Sequence, residues 1–294
     1  MKIFRGFEAA KEIKNPVVTI GSFDGVHIGH KMLLKRLNSL AKQYDGESVV
    51  ITFEPHPRKV LYPETSGKNL QLITSYEEKL QLLADYGLDN VIVIEFTKEL
   101  SKITSEQFVK EFLHDALKVK AVVVGFNHHF GYNKDGNYKQ LWDLQKKYDF
   151  FTEEIPAQEI EDEIISSVKI RLAISEGNIQ NANALLNHHY IVAGMLVKTH
   201  NLYEVIITDE CKLLPPEGIY ATSAQHGLLW SKAMVIIQSF SGRQSKMFVD
   251  IFDDAFYETN APVTFLFHSK IQNKALFDSD VLLSARNEIF ELLY

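Results

Sequence analysis

Two rhythms of apolar and polar positions divide this chain. Up to about residue 187, short apolar runs alternate with longer stretches whose apolar residues recur every three or four positions. The runs predict strands near 17–21, 48–53, 90–96, 120–125 and 150–155, and the stretches predict helices near 30–43, 75–86, 104–117, 137–147 and 167–186. Thr74 with Glu77, and Thr104 with Gln107, have the spacing of capping boxes at two helix starts. Gly87 and Gly177 stand where helix ends need a left-handed residue. Such alternation predicts a mainly parallel sheet with helices on both faces. From about 190 the pattern changes. Ile191–Val197, Tyr203–Thr208, Ala233–Phe240, Met247–Phe252 and Pro262–His268 read as strands joined by turns, and a helical tail follows from Asp278 to Leu293. The expected organisation is an α/β domain over 1–187 and a small all-β domain over 188–294 with a C-terminal helix.

The junction of the first apolar run and the first helix carries the chemistry. Gly21-Ser22-Phe23-Asp24-Gly25-Val26-His27-Ile28-Gly29-His30 follows Val17-Val18-Thr19-Ile20 and precedes a helix with Leu33, Leu34, Leu37, Leu40 and Ala41 at helical spacing. A strand-to-helix turn puts free backbone N–H groups and the positive end of the helix dipole at one spot, where an anion such as phosphate binds. Gly21, Gly25 and Gly29 allow tight bends and close approach to a ligand. His27 and His30 can both donate to phosphate oxygens. The alternative is two exposed polar residues opening a helix.

Three further segments matter. Thr52-Phe53-Glu54-Pro55-His56-Pro57-Arg58 follows the second apolar run. Its prolines restrict the backbone to an extended turn at the C-terminal edge of the sheet, where open α/β folds bind ligands. Val124-Gly125-Phe126-Asn127-His128-His129-Phe130-Gly131 follows another strand. Its histidine pair suggests metal ligation, but nothing nearby has metal-ligand spacing, so the pair reads as solvent-exposed or as part of a ligand pocket. Ile165-Ser166-Ser167-Val168-Lys169-Ile170-Arg171 opens a helix, with Ser166 placed to cap it.

The decapeptide resembles the HxGH turn of the nucleotidyltransferase superfamily. Together with the three further segments it is similar to the bacterial bifunctional riboflavin kinase/FMN adenylyltransferase family. That resemblance implies a Rossmann-like nucleotidyltransferase domain followed by a riboflavin-kinase-like β-barrel. It implies that AMP passes from Mg·ATP to FMN, giving FAD and pyrophosphate. The catalytic residues it implies are His27, His30 and Arg171. Gly21, Phe23, Asp24, Gly29 and Ser166 fall at ATP-binding positions, and Phe53, Pro55, His56, Asn127 and Phe130 on the flavin side. Mg²⁺ rides on the phosphates in this reading, with no protein metal site. ATP and FMN are the expected partners.

The C-terminal half keeps family-like pieces such as Lys212-Leu213-Leu214-Pro215-Pro216-Glu217-Gly218-Ile219-Tyr220-Ala221, which read as structural. It lacks the family's Pro-Thr-Ala-Asn segment, where the kinase holds Mg·ATP. Here the chain runs Lys198-Thr199-His200-Asn201-Leu202-Tyr203-Glu204-Val205. Phe248 stands where the family has the glutamate that serves as general base, and an aromatic ring cannot accept a proton. Asp250 is read as facing the opposite side. The kinase is therefore expected to be degenerate. The other readings are a fully bifunctional enzyme, a transferase for another phosphate ester, and a non-catalytic flavin- or nucleotide-binding protein.

Composition limits these readings. The 294 residues, 46% hydrophobic, suffice for two domains with real cores. A net charge of −7, with no basic run, argues against nucleic acid as the main partner. No N-terminal apolar stretch follows a charged segment, and no run of about 18 apolar residues occurs, so a soluble cytoplasmic protein is expected. Cys211 is single, which excludes an internal disulfide.

Overall fold

The computed structural model describes every residue except 127, 158, 161, 162, 200, 201, 240–244, 254–260, 275–277 and 294, with backbone alone at 159, 160 and 163. The first part of the chain runs through β1 (Lys2–Arg5), β2 (Val17–Ile20), α1 (Ile28–Gln43), β3 (Ser48–Glu54), α2 (Pro57–Leu61), α3 (Tyr76–Asp85), β4 (Asn90–Glu95), α4 (Ser105–Phe108), β5 (Ala121–Gly125), α5 (Tyr138–Gln145), β6 (Phe151–Ile155) and the short pair β7 (Glu159–Ile160) and β8 (Glu163–Ile164). There follow α6 (Ser167–Ser175), α7 (Ile179–Leu186), β9 (Tyr190–Lys198), β10 (Tyr203–Ile206), β11 (Gly218–His226), β12 (Leu229–Gln238), β13 (Lys246–Ile251), β14 (Pro262–Gln272) and α8 (Ser279–Leu292).

Packing separates the chain into two units: Met1–Leu70 with Lys79–Ile165, and Gln71–Glu78 with Ser166–Tyr294. The expected division at 187/188 follows the change of period. Packing instead groups α6 and α7 with the second unit. The cause is local: Asn183 on α7 donates to the Phe267 carbonyl at 2.8 Å and accepts from the Tyr190 amide at 2.6 Å, tying the helix to β14 and β9.

The first unit is a six-stranded parallel sheet of order β1-β4-β3-β2-β5-β6. Fully buried strands such as Val17–Ile20 and Ala121–Val124 are covered on both faces, as a parallel sheet requires. The order reverses at β2: the chain leaves it for β3 on one side and later returns to β5 on the other. That makes the C-terminal end of β2 a topological switch point, where open sheets present a crevice. Thr104 and Gln107 form the expected capping box. The helix continues as a π-helix over Val109–Ala116. The second box is displaced by one residue. Ser75, not Thr74, exchanges hydrogen bonds with Glu78 rather than Glu77 (2.8 and 3.2 Å).

The second unit is a closed antiparallel barrel of order β10-β13-β12-β11-β14-β9. The helix expected over 167–186 is broken: Gly177 takes φ +77° after α6, and Asn178 caps α7 through Asn181 N. Beside the barrel, the Lys212 ammonium is fully buried with Glu78 at 2.6 Å. It donates to the carbonyls of Ile73 and Ile191, both at 2.6 Å, and lies 4.5 Å from the centre of the Tyr190 ring. Glu78 also accepts from the Ala193 amide at 2.7 Å. Every donor of the ammonium is thus satisfied. Lys212→Met strands the Glu78 carboxylate, so it should destabilise this unit by about 3–5 kcal/mol. Urea unfolding read in the barrel should show it, and adding Glu78→Gln should recover part of the loss. Equal stability of parent and Lys212→Met would show that the pair contributes nothing.

Among the described residues no helix is long and apolar enough to cross a membrane.

Candidate active site

The turn after β2 is built from backbone conformations that most residues avoid. Phe23, Gly25 and Val26 have φ of +52°, +83° and +40°. Val26 is β-branched and fully buried, and such a residue rarely holds positive φ. This strain is concentrated where strained backbone often marks function. Gly21 N donates to Ile51 O at 3.0 Å, which anchors the start of the turn to β3. Of the three glycines only Gly25 needs its left-handed φ. Gly21 and Gly29 sit in tight quarters: a Cβ there would lie 3.1 Å from the Phe23 ring and 3.3 Å from the His27 ring, so those rings would have to give way slightly.

His27 is the N-cap residue of α1 and makes no capping hydrogen bond with its side chain. The His27 side chain thus does not cap the first turn of α1, and a helix N-terminus favours an anion. The His27 and His30 rings stack at 3.7 Å with 18° between planes, and His30 also lies 4.8 Å from Phe23. Burial, and then the neighbouring His27, hold the His30 imidazole well below the usual histidine pKa. Its Nδ1 has no hydrogen-bond partner among the described residues. Phe23 and Asp24 are buried, so their side chains pack into the protein and the turn offers mainly backbone.

Phe53 ends β3 and meets Phe96 edge-on at 5.5 Å. Phe130, after β5, lies 5.9 Å from Phe108 and 5.7 Å from His128. Both phenylalanines are only partly buried and pack on the same apolar cluster. Phe53 lies near the C-terminal end of β3 and Phe130 follows β5, the two strands that flank β2. Pro55 follows a cis peptide bond. His56 accepts from Arg58 N at 3.1 Å and so caps α2. The expected extended turn is correspondingly short, because Pro57 already starts that helix. Asn127 lies outside the described residues. Burial, and then His129, depress the His128 pKa to about 4. Among the described residues no three His, Cys, Asp or Glu are grouped to hold a metal ion. Ser166 caps α6 by accepting from Lys169 N at 3.4 Å, and Arg171 lies one turn on. Both belong to the second unit.

The sequence reading missed two buried lysines. Lys31 follows His30, lies 4.9 Å from the centre of the Tyr86 ring, and has its pKa lowered by burial to about 8. Lys79 shares the apolar stripe of α3 with Leu82 and Leu83. Its spacing of three and four from those leucines was the available signal.

The histidines also set the acid response. Burial lowers His268 to about 4, with His189 adding to the effect. An imidazole depressed in the native state binds protons more readily when unfolded, where its pKa is about 6.5. The stability from these rings is therefore whole above pH ~6.5 and is lost as pH falls below it, toward about 4 for His128 and His268, with His30 shifted in the same direction. Melting temperature should drop between pH 7 and pH 5, and His→Gln at these positions should flatten the drop. An unchanged slope in all three variants would show that these rings are not held neutral.

A family model for FAD synthetase matches residues 9–169. A bifunctional riboflavin kinase/FMN adenylyltransferase from Buchnera aphidicola (subspecies Acyrthosiphon pisum) is 31% identical over 77% of this chain and 74% of its own length. A Listeria monocytogenes protein named FAD synthetase is 34% identical over 73% of this chain and 83% of its own. A crystal structure of a protein called a macrolide-efflux protein, from Streptococcus pneumoniae, superposes with a TM-score of 0.85 at 25% identity, covering 99% of this chain and 98% of that one.

Proposed function

The chain belongs to the FAD synthetase family, and we propose that it transfers AMP from Mg·ATP to FMN. An FMN phosphate oxygen attacks the α-phosphorus of ATP. The new P–O bond forms as the bond to the bridging oxygen breaks, giving FAD and pyrophosphate. The observation that carries this reading is the stacked His27–His30 pair in the first turn of α1 at the switch point of the sheet.

Such a transfer asks for positioning and charge stabilisation more than for covalent chemistry. The amides of the β2–α1 turn hold phosphate, with Gly21 and Gly29 keeping the two rings clear of the backbone. His27 and His30 stabilise charge on the α-phosphate and the departing pyrophosphate. His30 is neutral at pH 7 without ligand, and phosphate beside it favours its protonated form. Ser166 and Arg171 serve the triphosphate, as in the family motif. Phe53, Pro55, Asn127 and Phe130 form the flavin side, where flat ligands favour aromatic walls, and His56 shapes it through its cap on α2. Magnesium enters as Mg·ATP, carried on phosphate oxygens with its own waters. Both substrates are cytoplasmic metabolites, which puts the work of the protein in the cytoplasm.

The test is incubation of the purified protein with Mg·ATP and FMN, followed by chromatography of flavins. FAD and pyrophosphate should appear in equal amounts. Unchanged FMN after long incubation would overturn the reading.

A further inference from the structure

Lys79 is a buried ammonium that the transfer chemistry above does not use. Its residue is 7% exposed. Its Nζ donates to Thr52 Oγ1 at 3.3 Å. Thr52 is fully buried near the end of β3, and its hydroxyl in turn donates to the Ser22 carbonyl at 3.5 Å. The directions agree: a hydroxyl has one proton to give and lone pairs to receive. Ser22 opens the phosphate-seeking turn.

We propose that Lys79 is a positioning residue for the nucleotide phosphates, acting through Thr52 on the Ser22–Phe23 peptide. The inference rests on the nucleotide-binding reading of the β2–α1 turn. In a trans peptide the carbonyl and the following N–H point in opposite directions. Drawing the Ser22 carbonyl toward β3 therefore turns the Phe23 N–H away from the sheet, toward the mouth of the turn. Phe23 needs φ +52° for the chain to continue from there. Lys79 supports this in a second way. A cation held one hydroxyl away from the turn favours negative charge on it, in surroundings that screen charge poorly. A buried ammonium is costly unless its donors are met, and a methionine would fill the same stripe with none of that cost. The lysine's distinctive contribution here is its charge and its donors.

The experiment measures binding directly. Mg·ATP is titrated calorimetrically into the full-length parent, Lys79→Met, Lys79→Arg and Thr52→Val, with no flavin present. FMN binding is followed separately by fluorescence quenching. Lys79→Met should weaken Mg·ATP by about tenfold or more, the scale of one charge-assisted hydrogen bond. Its FMN affinity should stay within about twofold of the parent, as should that of the other variants. Lys79→Arg should recover most of the nucleotide affinity, and the salt dependence of binding should shrink only in Lys79→Met. Thr52→Val keeps the cation and the side-chain shape, so it reports on the relay if Lys79→Met fails to fold. It too should lose nucleotide affinity. Parental Mg·ATP affinity in folded Lys79→Met or in Thr52→Val overturns the proposal, and so does equal weakening of ATP and FMN, which marks a merely structural role. Because binding is read without turnover, a parent that binds Mg·ATP but makes no FAD would defeat the proposed reaction and leave this inference standing.

Discussion

Purified protein given Mg·ATP and riboflavin should form no FMN above a no-enzyme control. Phe248, which the family resemblance aligns with a general-base glutamate, packs against an apolar cluster of Ile219, Ala221, Met234, Ile236, Ala285 and Ile289. The sequence reading set Asp250 on the other face of its strand, and the structure corrects this. Met247, Val249 and Ile251 are buried, whereas Phe248 and Asp250, two residues apart, share the opposite face. On that face Arg286 holds the Asp250 carboxylate at 2.5 Å while stacking 4.3 Å from the Phe252 ring. Loss of general base catalysis costs about 10²–10⁴-fold, and absence of the Pro-Thr-Ala-Asn nucleotide segment adds to it. Part of the loop at that segment, 200–201, lies outside the described residues. Steady FMN formation by pure protein would overturn the expectation and make the chain bifunctional. Without it, FMN must reach this protein from a separate kinase acting on the riboflavin hydroxyl.

His30→Ala should lower kcat for FAD formation by about 10²-fold or more, the loss that follows removal of one preorganised donor. The effect should fall on kcat more than on KM for ATP, since the charge that His30 meets develops in the transition state. His30 is suited to this by its place in the first turn of α1 and by the rings of His27 and Phe23 that fix its plane. His27→Ala should act on the same step, and the double variant should lose less than the sum of the two. Single-turnover assays with saturating substrates isolate the chemical step, and circular dichroism checks folding. A folded His30→Ala protein with parental kcat would remove this ring from the chemistry.

The β2–α1 turn was legible because its signals are local. An apolar run, three glycines and a helical stripe lie within about twenty-five residues, and each describes its own neighbourhood. The same holds for the alternation that gives the parallel sheet and for the Thr104–Gln107 cap. Other features were illegible for a physical reason. Periodicity reports burial on one side only. β11 is flanked by β12 and β14 and buried on both faces over Gly218–Thr222, so it shows no alternation and passes as loop. β1 pairs with a single neighbour, β4, at the edge of the sheet, and its burial pattern is mostly exposed. The slip from Thr74–Glu77 to Ser75–Glu78 has a long-range cause. Glu78 is claimed by Lys212, 134 residues away, and by the Ala193 amide. The sequence by itself thus determined the alternation that builds the parallel sheet and the place of the glycine- and histidine-rich turn between β2 and α1. Only the tertiary structure decided which carboxylate caps α3, which face Asp250 shares, and what lies behind the turn at Lys79, because each depends on groups far apart in the chain that burial brings together.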